Sequence, residues 1–132
     1  MGYLLDTNIV SAIFKNNQKV IIQLDNLRIQ KEKVFMSAVT YYEIERGLLA
    51  VNATKKLKDL EKLATQYQVL LLDDMAIFKK ASEIYADLKQ RGLPIQDADI
   101  FIAATAIIHD LTLVSHDSDL SRITGLKLEN WL

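Results

Sequence analysis

Short, uninterrupted apolar runs alternate with longer stretches of helical periodicity along the whole chain, and that alternation leaves few folds open. Tyr3-Leu4-Leu5, Val34-Phe35-Met36, Val69 to Leu72 and Leu111 to Val114 are the runs, with a possible fifth and edge run at Leu126 to Leu128. They lack the in-out alternation of a half-buried strand, as strands covered on both faces require. Between them lie helical patterns. The first runs from Thr7-Asn8 to about Lys15. The second carries Val20, Ile21, Leu24 and Leu27, and the third follows Ser37 as its N-cap and carries Val39, Tyr42 and Ile44. A fourth carries Leu57, Leu60, Leu63, Ala64 and Tyr67. A fifth spans Ala76 to about Arg91, with Ile77, Ala81, Ile84, Tyr85 and Leu88 inward and Gly92 as its stop. Asp97 to His109 is apolar nearly all round and is expected to be central. Strands alternating with helices predict the α/β class, with a mostly parallel sheet of four to five strands covered on both faces. At 132 residues, half of them hydrophobic, residues 1–132 are expected to form one domain.

Composition removes several chemistries. There is no cysteine, which excludes disulfides, thiolate zinc sites and a thiol nucleophile. The two histidines, His109 and His116, cannot form HExxH, and the four glycines lie too far apart for a phosphate-cradling loop. No GxSxG elbow supports serine hydrolysis, and Ser115-His116-Asp117 are chain neighbours, a poor triad geometry. The longest uncharged apolar stretch, Ile100 to Ile108, is too short to cross a bilayer. With no targeting segment at the start, the expectation is a cytoplasmic protein that does not contact membranes.

What remains is acid. Open parallel sheets place their sites beyond the carboxyl ends of the strands. Asp6 ends the first run, Glu43 lies in the helix after the second, and Asp73 and Asp74 end the third. Asp97 and Asp99 open the apolar helix, and Asp117 and Asp119 follow the fourth run. Thr7 and Asn8 can cap the first helix, so Asp6 is not needed there. Gly47 stands four residues after Glu43 on the same helical face. A glycine there costs about 1 kcal/mol against alanine, which suggests space kept open above the carboxylate. Asp97 and Asp99 diverge by about 200° on a helix, so only one can face the strand ends. Asp97 is the better N-cap. Asp99 shares its face with Ala103 and Ala106, and no lysine or arginine on that helix can neutralise it. A bound cation would supply the missing charge.

Asp6, Glu43, Asp99 and Asp117 come from four segments that can converge at one sheet edge. An oxygen-only set suits magnesium or manganese, and two such ions can support an in-line phosphodiester displacement. With those four acids set aside, the rest of the chain is mildly basic, with lysine clusters at Lys31/Lys33, Lys55/Lys56/Lys58 and Lys79/Lys80. Such clusters can meet a phosphate backbone.

Four segments in order, LLDTNIV at Leu4–Val10, SAVTYYEIERGLL at Ser37–Leu49, DADIFIAATA at Asp97–Ala106 and LTLVSHDSDL at Leu111–Leu120, resemble the PIN-domain ribonucleases, specifically the VapC-type toxins of bacterial toxin–antitoxin pairs. The ending, Gly125-Leu126 through Glu129-Asn130-Trp131, also looks like the family's close. The resemblance implies a three-layer α/β/α fold and cleavage of single-stranded regions of RNA with Mg2+, or Mn2+ in its place. Asp6, Glu43, Asp99 and Asp117 would be the catalytic, metal-holding acids. Thr7 and Asn8 would orient them, and Asp97 and Asp119 are extra acids beside the third and fourth positions. It further implies a homodimer and a cognate VapB-like antitoxin whose C-terminal segment covers the acidic pocket. The helices over Val20–Leu27 and Leu57–Tyr67 are the expected contact surfaces. Two competing readings are a catalytically inactive RNA-binding or scaffold protein on the same fold, and a receiver domain taking phosphate at Asp73.

Overall fold

The computed structural model describes residues 1–132. Strand β1 (Gly2–Leu5) leads into α1 (Thr7–Phe14) and α2 (Gln18–Ile29). Strand β2 (Lys33–Ser37) leads into α3 (Ala38–Ala50) and α4 (Thr54–Gln66). Strand β3 (Gln68–Leu70) is followed by α5 (Met75–Gln90) and α6 (Asp97–Ile108). Strand β4 (Thr112–Val114), a 3-10 turn at Ser118–Arg122 and β5 (Leu128–Glu129) complete the chain.

All five strands are parallel, in the order β3-β2-β1-β4-β5. The chain moves outward from β1 through β2 to β3, then returns to the other side of β1 with β4. The strand order therefore reverses at β1/β4, which opens a crevice at their carboxyl ends. Leu5 stands beside both Met36 and Val114, so β1 and β4 end at the same level and β2 runs one residue further, to Ser37.

Alternate residues of each strand point to opposite faces, and this sorts the core into two layers. Leu4 and Leu113 face Ile77, Ala81, Ile84 and Leu88 of α5 and the apolar side of α6. Leu5, Met36 and Val114 face Ile9 and Val10 of α1, Val20 and Leu24 of α2, and Leu60 and Leu63 of α4. Both faces of the sheet are covered, which gives the three layers expected. Helix α6 buries Ile100, Ile102, Ala103, Ala104, Thr105 and Ala106, in keeping with its nearly all-round apolar sequence. Gly92 ends the α5 region in the left-handed conformation, at φ +70°, that glycine adopts without a Cβ penalty. No helix is long and apolar enough to cross a membrane.

Three expectations change. The run at Val69–Leu72 is not a buried strand: β3 covers Gln68–Leu70 and pairs only with β2 at the sheet edge, and Leu71 is exposed. Tyr42 and Tyr85 face solvent rather than the core. In α3 the buried positions are Thr40 and Ile44, four apart, which turns Tyr42 outward. In α5, Tyr85 sits at the rim of the stripe made by Ile77, Ala81, Ile84 and Leu88, and its polar tip stays in water. The stripes of α2 and α4 pack into the chain's own core instead of standing free, leaving Ile22 and Ile29 as the exposed apolar residues of α2.

Candidate active site

Asp6 is the first residue beyond β1 and is only 4% exposed. Its backbone N–H continues the ladder to the Val114 carbonyl at 2.9 Å, which fixes it at the β1/β4 crevice. Its side chain is the N-cap of α1: Oδ1 accepts from the Thr7 N–H at 2.8 Å. Thr7 and Asn8 therefore do not cap this helix; Asp6 does. They are used elsewhere. Thr7 Oγ1 donates to Glu43 Oε1 at 2.7 Å and lies 3.2 Å from Thr40 Oγ1. Asn8 Nδ2 donates to Ser115 Oγ at 3.3 Å and reaches Asp6 Oδ2 at 3.5 Å, while its Oδ1 accepts from the His116 N–H at 3.1 Å.

Ser115 stands directly after β4 and is buried. Its hydroxyl donates to Asp6 Oδ2 at 2.6 Å and accepts from the Asp117 N–H at 3.0 Å. The sequence offered Ser115 only as a member of a triad and so missed this role. The available signal was its position, since it follows β4 as Asp6 follows β1. Thr40 was missed as well, because a threonine in a helix reads as surface; here it is fully buried beside Thr7.

Asp99 lies in the first turn of α6, half-buried. Burial pushes its carboxyl up to about 6, and the charges of Asp6, Asp117, Glu43 and Asp119 push the same way. Four acids from three segments therefore share one electrostatic neighbourhood with Asp99. Burial also raises Asp6; hydrogen bonds from Ser115 and Thr7 oppose the shift, and the Glu43 and Asp117 charges add to it. The Asp117 carboxylate caps the 3-10 turn, accepting from the Asp119 N–H at 2.9 Å. Asp119 is paired with Arg122 at 3.0 Å, so an arginine of the same turn already answers its charge. Glu43 has one ion-pair partner, Arg46, at 3.9 Å.

Asp97 is not the N-cap of α6. Gln96 occupies that position and makes no side-chain cap bond, while Asp97 is the first helical residue. It is exposed beside a shallow depression with Phe78, Ala81 and Phe101, on the side of α6 that packs against α5. Asp73 is exposed beyond the edge strand, apart from the acids that act on Asp99, and no cluster of ligating acids forms around it for the receiver reading. Asp74 caps α5, accepting from the Ala76 N–H at 2.8 Å. A Cβ built on Gly47 meets nothing within 4 Å, so the space one turn beyond Glu43 is open.

The donor set of Asp6, Glu43, Asp99 and Asp117 fits a hard divalent cation: carboxylates only, buried or half-buried, with Arg46 the one cation paired to a member of it. No three of these side chains close on a single point. Magnesium does not require that, because it keeps several waters and is commonly held through one or two carboxylates.

A parallel sheet with acids collected at its strand-order reversal and a 3-10 turn after the fourth strand defines a PIN-like fold. The chain belongs to the PIN domain family, whose pattern its residues 3–126 match. Toxin FitB of Neisseria gonorrhoeae is 35% identical over 123 residues, covering 87% of each chain. Ribonuclease VapC1 of Haemophilus influenzae is 29% identical over 133 residues, covering 99% of this chain and 98% of the other. The VapBC2 crystal structure from Rickettsia felis, bound to a DNA fragment from its promoter, superposes with a TM-score of 0.90 at 27% identity over the full length of both chains.

Proposed function

We propose that this chain is a metal-dependent endoribonuclease and the toxin of a VapBC-type toxin–antitoxin pair. The observation that supports the reading is that Asp6, Glu43 and Asp117 lie near enough to Asp99, beside the strand-order reversal, for their charges to act on its carboxyl. The kinship with proteins named ribonuclease and toxin supports it. Residues 1–132 act as one domain, in the cytoplasm where RNA substrates are found.

Asp6, Asp99, Glu43 and Asp117 would hold Mg2+, with Mn2+ able to substitute. When bound, the ion supplies positive charge to the attacking and leaving oxygens of a phosphodiester undergoing hydrolysis. The chain's own residues prepare the site. Ser115 and Asn8 hold Asp6 Oδ2, and the Thr7 N–H holds Oδ1, so the carboxylate is fixed in direction before any ligand arrives. The Thr7 hydroxyl fixes Glu43 Oε1 across the crevice. Such supporting bonds commonly matter about 10- to 100-fold for metal affinity or activity. The burial of Asp6 and the half-burial of Asp99 lower the local dielectric and strengthen the charge interactions there.

The VapBC and FitAB complexes among the structural relatives support a protein partner. We assign this chain a VapB-like antitoxin whose cationic side chain answers Asp6 and Asp99, and a homodimer as its own assembly. The test is cleavage of unstructured RNA by purified protein in magnesium and in excess chelator. Cleavage that stops in chelator and returns with magnesium or manganese supports the reading. Equal cleavage in chelator, in a preparation whose Asp6→Asn variant is inactive, refutes the metal dependence.

A further inference from the structure

Helix α3 exposes more than Glu43 beside the crevice. One residue earlier, Tyr42 exposes 58% of its surface. The Arg46 guanidinium lies 5.0 Å from the centre of the Tyr42 ring and 3.4 Å from its hydroxyl. It also reaches Glu43 Oε2 at 3.9 Å. Arg46 is itself largely exposed, so packing does not account for this arrangement. Beyond it, Gly47 leaves open space where any other residue would place a Cβ. An exposed aromatic face, a guanidinium and an open glycine position thus lie on adjacent faces of the helix that carries a site acid.

An aromatic face accepts a nucleobase of any identity, and a guanidinium accepts a phosphate. We propose that Tyr42 and Arg46 form a nucleotide-holding element for single-stranded RNA, with Tyr42 stacking one base and Arg46 holding a backbone phosphate next to Glu43. In the free chain Arg46 rests on Glu43 and the Tyr42 ring. A cation held by the acids makes Glu43 a weaker partner for it and leaves the guanidinium for the RNA backbone. The two residues position the strand and do not take part in bond cleavage. This inference rests on the ribonuclease reading.

The experiment is steady-state cleavage of an unstructured, mixed-sequence RNA oligonucleotide carrying a fluorophore and quencher, in magnesium, over a series of potassium chloride concentrations. Tyr42→Ala should raise KM about tenfold with little change in kcat, since it removes a base-stacking contact and nothing at the scissile bond. Tyr42→Phe should restore the wild-type KM, because the ring and not the hydroxyl carries the contact. Arg46→Gln should raise KM and reduce the slope of log(1/KM) against log salt by about 0.7, the value for one phosphate contact on a single strand. An active wild type whose KM and salt slope are untouched by Tyr42→Ala and Arg46→Gln overturns the inference while leaving the ribonuclease reading intact. A wild type that does not cleave the oligonucleotide overturns both.

Discussion

The Ser115 hydroxyl donates to Asp6 Oδ2 at 2.6 Å, a bond between two buried side chains 109 residues apart in the chain. It joins the ends of β1 and β4, the neighbouring strands between which the sheet reverses its order. Ser115 also meets Asn8 and the Asp117 backbone, so one hydroxyl links three of the polar groups that shape the crevice. Ser115→Ala should lower the unfolding free energy by about 1.5–3 kcal/mol, the usual worth of a hydrogen bond to a charged group. It should reduce cleavage about 10- to 100-fold. Urea unfolding and single-turnover cleavage check the two effects. A variant as stable and as active as wild type removes Ser115 from the site.

Asp99 gives the pH dependence. Its carboxyl is raised in the fold from 3.8 to about 6, by burial first and then by the neighbouring acids. Between those values the native state binds more protons than the unfolded chain, so this residue lowers stability progressively as pH rises from about 4 to about 6. Above that the cost is fully present. Metal-free Asp99→Asn should therefore match wild type below pH 4 and exceed it above pH 6, with the gap opening between. Urea titrations of both proteins across that range provide the check; a gap of constant size contradicts the burden assigned to Asp99. Magnesium affinity, which needs the ionised form, should weaken as pH falls below about 6.

Much of this was legible before any coordinates. Helix α6 was read with its start correct and its end one residue long, because an apolar helix bounded by acids and a strand signal leaves little choice. The acids were legible because each follows a strand or sits on a helix that does. Other features depended on information that local sequence does not carry. Asp6, Thr7 and Asn8 are all good caps, and only the Thr7–Glu43 and Asn8–Ser115 bonds decide that Asp6 takes the role. The register of α3 is set by Thr40, a polar residue buried for its contact with Thr7, which hydropathy does not mark as inward. Hydropathy gave Val69–Leu72 as a strand but did not show that it would lie at the edge.

Gly47 gives a prediction in which stability and activity move oppositely. A helical glycine costs about 1 kcal/mol relative to alanine, and the added methyl meets no atom of this chain. Gly47→Ala should raise the unfolding free energy by up to about 1 kcal/mol. If RNA passes through the open space, cleavage should fall by about tenfold or more, since small displacements of a reacting group are costly. Thermal melting and initial rates measure the pair; a more stable variant with undiminished cleavage shows that the space is not used.

Metal binding should be visible without RNA. An ion held by the folded acids and not by the unfolded chain raises the melting temperature with its concentration. Magnesium or manganese should stabilise wild type, and Asp6→Asn should blunt the response. Identical melting shifts in the two proteins place the ion elsewhere.

Asp97 and Asp99 offer the most direct test, because they are two residues apart on one helix and differ in what they face. RNA cleavage by wild type, Asp97→Asn and Asp99→Asn is measured at saturating magnesium. Asp97→Asn should stay within a few-fold of wild type, because that carboxylate is exposed on the α5 side of α6. Asp99→Asn should lose cleavage by two orders of magnitude or more while remaining folded, about the scale seen when one preorganised electrostatic group is removed from a site. An inactive Asp97→Asn beside an active Asp99→Asn would place the chemistry on the other side of the helix and contradict the assignment of the acidic crevice as the active site.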